Sequence, residues 1–309
     1  VKISTCVVIS PIVSLFLISY TCAQAETILT SVMEAKAGSD SNPLKSSIGD
    51  EQSFLVLSPS LSSDSFISES IDIGTHFTYA GTEYFGSEQF TTRSIAGSVT
   101  IHGAHLGTEG YITIRTQQND NEALPEDESS ISAVILTGVH RDFGGRNYSL
   151  SGLMEHARYP NITEENSEAL IQNRVTLKPG IGTPLGNSLY LYGDLVFEWT
   201  NTNSSTDEYS GYAASAGLDY SPSSPFRTGI SVRFGFRDYH RIDDLDFETD
   251  PISSFGSIDM WYTYRLTTAS DLLIRIHGGT FQSEIDMSSF TRWSIHAGFR
   301  FTYEFLLNT

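Results

Sequence analysis

From Trp293 to Phe305 the residues alternate without a break. Trp293, Ile295, Ala297, Phe299, Phe301, Tyr303 and Phe305 are apolar or aromatic, and Ser294, His296, Gly298, Arg300, Thr302 and Glu304 between them are polar, charged or glycine. A period of two belongs to an extended strand, whose successive side chains point to opposite faces. A soluble sheet with one face on a core has the same period. Here, however, the polar face carries full charges and the apolar face ends in aromatics, the pattern of a strand with lipid on one side and water on the other. A lone strand cannot cross a bilayer, because its unpaired amides and carbonyls find no partners in hydrocarbon. Only a sheet closed into a barrel satisfies them all.

The N-terminal region supports export. Lys2 supplies a positive charge, Val7 to Ile18 a mostly apolar run, and Ala23-Gln24-Ala25 a small-residue cleavage site, which together predict a signal peptide over 1–25 and a barrel domain over 26–309. That apolar run is the one long hydrophobic stretch, and it falls short of the ~20 residues a membrane helix needs. Ser19-Tyr20-Thr21 lacks the aliphatic and small residues that precede a lipidated cysteine, so Cys22 is not read as a lipid anchor. Both cysteines, Cys6 and Cys22, fall in the predicted signal, so the exported chain carries no thiol and must be stabilised by its sheet. The net charge of -19 argues against nucleic acid as a partner, since no basic surface is expected that could displace its counterions. A mean hydropathy of -0.15 is no obstacle, because a barrel shows lipid only every second residue.

Period-two character recurs in about fourteen segments: 28–37, 52–62, 70–80, 92–104, 109–117, 130–141, 146–157, 170–181, 187–199, 208–221, 227–239, 254–267, 270–282 and 291–305. The predicted fold class is therefore all-β, a transmembrane antiparallel up-and-down β-barrel of about fourteen strands. Twelve or sixteen also fit, because the turn near Ser62 to Glu69 is irregular. Connections alternate in character. Polar, mostly acidic loops lie around Ser39 to Glu51, Gly81 to Gln89, Gln118 to Ser129, Tyr159 to Ala169, Asn201 to Glu208, Asp238 to Ser253 and Ser283 to Phe290. Short Gly, Pro, Ser and Thr turns such as Leu106-Gly107-Thr108 and Thr183-Pro184-Leu185-Gly186 separate them, as in barrels with long outer loops and tight inner turns. One face of a large soluble β-sandwich is the competing reading. Signal, final strand and loop alternation agree on the barrel.

Lipid-facing sets include Leu189, Leu191, Leu195, Phe197 and Trp199, and Ile230, Val232, Phe234 and Phe236. The opposite parity carries charge. Arg233, Arg237, Arg265, Arg275 and Arg300 take the inward positions of the last four segments, and Arg174 and Lys178 those of an earlier one. A cationic strip beside an aqueous lumen would favour anionic solutes. Asp194, Glu198, Asp219, Asp259, Asp271 and Glu304 share the inward parity, so the same arginines equally fit cross-strand ion pairs that stiffen the wall. Asp243, Asp244, Asp246, Glu248 and Asp250, and Glu122, Glu126, Asp127 and Glu128, offer oxygen ligands for a hard cation but lack the spacing of a defined calcium loop. No metal site or cofactor is therefore assigned. Neither a G-x-S-x-G elbow nor an H-E-x-x-H motif nor a Walker loop is present, and the inward His76, His102 and His277 read as hydrogen-bonding wall residues, so no enzyme is expected.

Two motifs carry a resemblance. His296, Gly298, Phe301, Tyr303 and Phe305 resemble the C-terminal signal of Gram-negative outer-membrane barrels, with Phe305 four residues from the end of the sequence. Gly38-Ser39-Asp40-Ser41-Asn42-Pro43 resembles the opening of outer-membrane β-barrel porins, and more distantly the barrel of surface lipoprotein assembly modifiers, whose preceding helical repeats are missing here. The resemblance implies the outer membrane as location, lipid, lipopolysaccharide and the barrel-assembly machinery as partners, and a porin-like channel for hydrophilic solutes, anionic oligosaccharides among them. A non-conducting barrel serving export or assembly of a surface polymer or protein is the alternative, and an outer-membrane hydrolase the third.

Overall fold

Two-residue turns of left-handed backbone tie neighbouring strands together on one side of the molecule. Leu106 and Gly107 have φ of 50° and 72°, and Gly144 and Gly145 have 60° and 75°. Positive φ at both central positions defines the turn whose twist matches that of the flanking strands, and glycine adopts it without a Cβ penalty. In the computed structural model the described residues are 27–42, 51–85, 90–121, 129–163, 169–203, 208–222, 225–239, 252–283 and 289–307. The predicted signal peptide and both acidic clusters lie outside them.

The described residues form fourteen strands: β1 (Thr27–Asp40), β2 (Gln52–Ser68), β3 (Ile71–Phe85), β4 (Phe90–His105), β5 (Thr108–Asn121), β6 (Ser130–Phe143), β7 (Arg146–Thr163), β8 (Ala169–Leu185), β9 (Leu189–Thr202), β10 (Tyr209–Tyr220), β11 (Phe226–Tyr239), β12 (Ile252–Thr267), β13 (Ser270–Ser283) and β14 (Phe290–Leu307). Each pairs antiparallel with its sequence neighbours, and β1 pairs with β14 from Thr27↔Leu307 to Asp40↔Ser294, which closes the barrel. No strand is thereby left as an edge, the condition for crossing hydrocarbon.

The strand count is fourteen, which removes the alternatives of twelve and sixteen. The irregular turn read at Ser62 to Glu69 is strand as far as Ser68, and the chain reverses at Glu69-Ser70. Its serines resemble a loop in sequence but sit in the ladder, where Ser63 Oγ and Thr75 Oγ1 lie 2.9 Å apart, both buried. A register shift between Phe66 and Ser68 takes up the irregularity. Strands run from 12 to 18 residues, longer than the ~9–11 needed to cross a bilayer, so their ends project beyond it.

Apolar side chains face out. Ile114 is 60% exposed, Phe234 56%, Tyr303 55% and Ile101 52%, whereas the few buried apolar residues, such as Phe54, Tyr84, Val134 and Leu273, point inward. A sandwich buries its large hydrophobics between two sheets. This distribution is the reverse, and it replaces the sandwich with a barrel wearing an apolar band.

Candidate functional site: the inner wall

Register fixes which side chains share the lumen. Arg233 stands opposite Ser257, Asp259 opposite Ser231 and His277, Arg275 opposite Trp261 and His296, and Asp271 opposite Arg265 and Arg300. The outward parity of the same strands holds Val232, Phe234, Met260, Ile295 and Phe299, all exposed. Arg233, Arg237, Arg265, Arg275 and Arg300 therefore project from one sector of wall, β11 to β14, at different depths. Arg237 lies near the loop end of β11, and Arg265 and Asp271 flank the β12–β13 turn.

Most of these cations have carboxylate partners. Arg275 donates to Asp259 Oδ1 from Nε (3.0 Å) and from its terminal nitrogen (2.8 Å), and His277 lies 3.1 Å from the other oxygen. Arg265 is 3.9 Å from Asp271 and Arg237 3.9 Å from Glu198. Across the barrel Arg174 bonds Glu155, and Lys178 is 3.3 Å from Asp194. Arg237 is packed as well as paired, lying 4.7 Å from the ring of Tyr209, 5.6 Å from Phe255 and 5.9 Å from Phe281, while the Tyr209 hydroxyl donates to Glu198 at 2.5 Å. Arg233 differs. Its recorded neighbour is the Phe255 ring at 5.4 Å, and among the described residues no carboxylate pairs with it.

The β1–β14 seam concentrates contacts that period-two reading does not reveal. Glu34 accepts from Arg300 Nε (2.6 Å) and from Lys36 (2.5 Å). Asp40, 1% exposed, is gripped by both Nε and the terminal nitrogen of Arg292 and accepts the Asn42 amide at 3.1 Å. The Ser41 amide donates to the Trp293 carbonyl (2.8 Å), and the Trp293 amide donates back to Ser41 Oγ (2.7 Å). The motif beginning at Gly38 is thus a clasp between β1 and β14, described as far as Asn42. Of the residues in the C-terminal motif, His296 faces in, its ring centre 6.0 Å from that of Phe54 in an edge-on arrangement, and Gly298 faces Lys36, where a Cβ would meet the Ala35 carbonyl. Phe301, Tyr303 and Phe305 face out near the turn end, 39%, 55% and 53% exposed.

Charge is unevenly shared around the wall. On β10–β14 and β1 the inward bases Arg227, Arg233, Arg237, Arg265, Arg275, Arg292, Arg300 and Lys36 outnumber the acids Asp219, Asp259, Asp271, Glu304, Glu34 and Asp40. On β2–β9 the acids Asp64, Asp72, Glu109, Asp142, Glu155, Asp194 and Glu198 outnumber Arg115, Arg174 and Lys178. Two oppositely biased walls facing one aqueous space set up a field across it.

Some wall residues escaped the sequence reading. Glu109 collects His140 at 3.1 Å and His102 at 3.9 Å, and His102 also lies 3.5 Å from Asp72. Trp261, Arg227 and Arg115 also take the inward parity, Arg227 on the same strand as Arg233 and Arg237. Of the inward histidines, His76 bonds Thr78 at 2.5 Å and His277 meets Asp259 at 3.1 Å. Among the described residues no group of three His, Cys, Asp or Glu is arranged to hold a metal ion.

No protein-family model matches the sequence, and no curated protein matches it. Solved structures do match. They include OmpT lacking loop L8, an outer-membrane protein of Vibrio cholerae (8% identity, TM-score 0.54, covering 91% of this chain and 100% of that one). The outer-membrane channel DcaP of Acinetobacter baumannii is similar (11% identity, TM-score 0.51, 91% and 98%), as is an anion-selective porin from Comamonas acidovorans (10% identity, TM-score 0.50, 91% and 100%). At these identities the likeness is one of fold, and the fold is that of outer-membrane porins.

Proposed function

We propose that the protein is an outer-membrane channel through which hydrophilic solutes diffuse passively, that anions are favoured, and that no covalent chemistry occurs in it. The observation that carries this reading is the closed barrel whose inner wall segregates its charges, cationic from β10 round to β1 and acidic from β2 to β9. A field of that kind between low-dielectric walls sorts and orients charged solutes without binding them tightly, as passive flux requires. The apolar outer band would meet lipid, and the outward Phe301, Tyr303 and Phe305 are the residues this reading assigns to recognition by the barrel-assembly machinery. Acidic oligosaccharides are the finer solute class this wall suits.

Single-channel conductance in a planar bilayer, with reversal potential under a salt gradient, tests the proposal. Steady conductance with anion preference is the expected result. A folded barrel that does not conduct would overturn it and move the search to export or assembly partners.

A further inference from the structure

At the turn end of the barrel a cavity of about 620 Å³ is lined by Arg227, Trp261, Thr263, Arg265, Asp271 and Arg300, with Ser221, Pro222 and Pro225 beside them. Its size is that of a small-molecule site. Three guanidinium groups border it and one carboxylate does, and the charges are unequally engaged. Arg300 is held by Glu34 at 2.6 Å, Arg265 stands 3.9 Å from Asp271 with 62% of its side chain exposed, and Arg227 has no carboxylate partner among the described residues. Asp219 lies across Gly229 and does not line the cavity.

Trp261 is the inward-facing ring of this space, which Phe226, Pro222 and Pro225 also border. It pairs with Gly229, where an added Cβ would meet the indole Cε2 at 2.5 Å, so the ring lies over bare backbone. Tyr209 and Phe255 near the loop end are covered by Arg237. Among the described residues no ring or guanidinium stacks on Trp261, although cations surround it.

We infer that this cavity is a binding subsite for small carboxylates carried on a six-membered ring that offers an apolar face, the C–H face of a uronic acid or the planar face of an aromatic acid. The carboxylate would take the two parallel N–H groups of Arg227 with support from Arg265, and the ring face would lie on the indole. A neutral sugar would lose the guanidinium contacts and a short-chain acid the stacking. The inference rests on the reading of the lumen as a solute path and names a solute class for it.

The protein has three tryptophans, and Trp199 and Trp293 both face out. A W199F/W293F variant refolded in detergent therefore reports Trp261 alone. Saturable change of its emission on titration with galacturonate or benzoate, and none with acetate or glucose over the same range, is the expected result. The acid effective at the lower concentration identifies sugar or arene as the preferred ring. R227Q/R265Q in that background should weaken binding at least tenfold while migrating on gels as a folded barrel. Emission indifferent to both acids, an equal response to acetate, or unchanged affinity in R227Q/R265Q would overturn the subsite. Bilayer conductance of the same preparation judges the channel reading separately, since binding needs no conduction.

Discussion

Glycines opposite aromatic rings recur across this wall. Tyr111 covers Gly138, Tyr192 covers Gly217, Phe255 covers Gly235 and Trp261 covers Gly229, each pair in register on adjacent strands. A ring laid over its neighbour's bare backbone fills the space a Cβ would take and shields the ladder there. Gly298 is a different case, because the obstacle is the neighbouring strand itself: a Cβ would meet the Ala35 carbonyl and come within 2.7 Å of Lys36 Cα. Backbone cannot rotate away as a ring can. Gly298→Ala should therefore cost about 1–3 kcal/mol of strain, read as a lower temperature for the gel-mobility shift of protein refolded in detergent without assembly machinery. Gly152→Ala, whose nearest outside atom would be Thr137 Cγ2 at 3.6 Å, should refold as wild type. Equal behaviour of the two variants would make Gly298 a recognition residue and not a seam residue. The inward or outward side of each such residue was legible from the sequence; its partner was not, because sliding a strand by two residues leaves every face unchanged.

The same limit governs whole strands. Fourteen segments and their alternating connections could be read because each carries its own period, but the serines of the Ser62 to Glu69 stretch hid the end of β2. The β1–β14 seam joins segments at opposite ends of the sequence, so nothing local marks Asp40 as the partner of Arg292. That pair should hold the loop end of the seam. Asp40→Ala leaves a guanidinium 24% exposed without its carboxylate, with Tyr84 as a remaining neighbour, and the cost should be about 3 kcal/mol, the low end for removing one member of a buried pair. Denaturant unfolding of detergent-refolded protein checks this, and a change below experimental scatter would mean the backbone contacts of Ser41 and Trp293 suffice. On the lipid face, Val232→Arg should cost about 2–4 kcal/mol in a bilayer refolding equilibrium. Ser257→Arg, on the inward parity of β12, should cost much less. If the two cost the same, the assignment of faces on β11 and β12 fails.

At the scale of the molecule the wall acts through summed charge, and the arginines within it are not equivalent. A single paired residue contributes little net field: Arg275 largely cancels Asp259 at 2.8 Å. Among the described residues Arg233 has only the Phe255 ring, an interaction worth about 0.5–1 kcal/mol, so replacing it removes a charge without releasing a carboxylate. Arg233→Gln should thus move the reversal potential toward cations with little loss of stability. Arg275→Gln should do the same while freeing Asp259, and since Arg275 is 55% exposed its pair should add no more than about 1 kcal/mol to the stability cost. Screening supplies the control. The Debye length is about 10 Å at 0.1 M salt and about 3 Å at 1 M, so a shift that comes from the wall's field should be clear at the lower concentration and largely gone at the higher. A shift that persists at 1 M would have to come from a change in pore shape. No shift at 0.1 M would place Arg233 off the conducting path, and anion preference would then have to arise nearer the turn end, where Arg227 and Arg265 border the cavity.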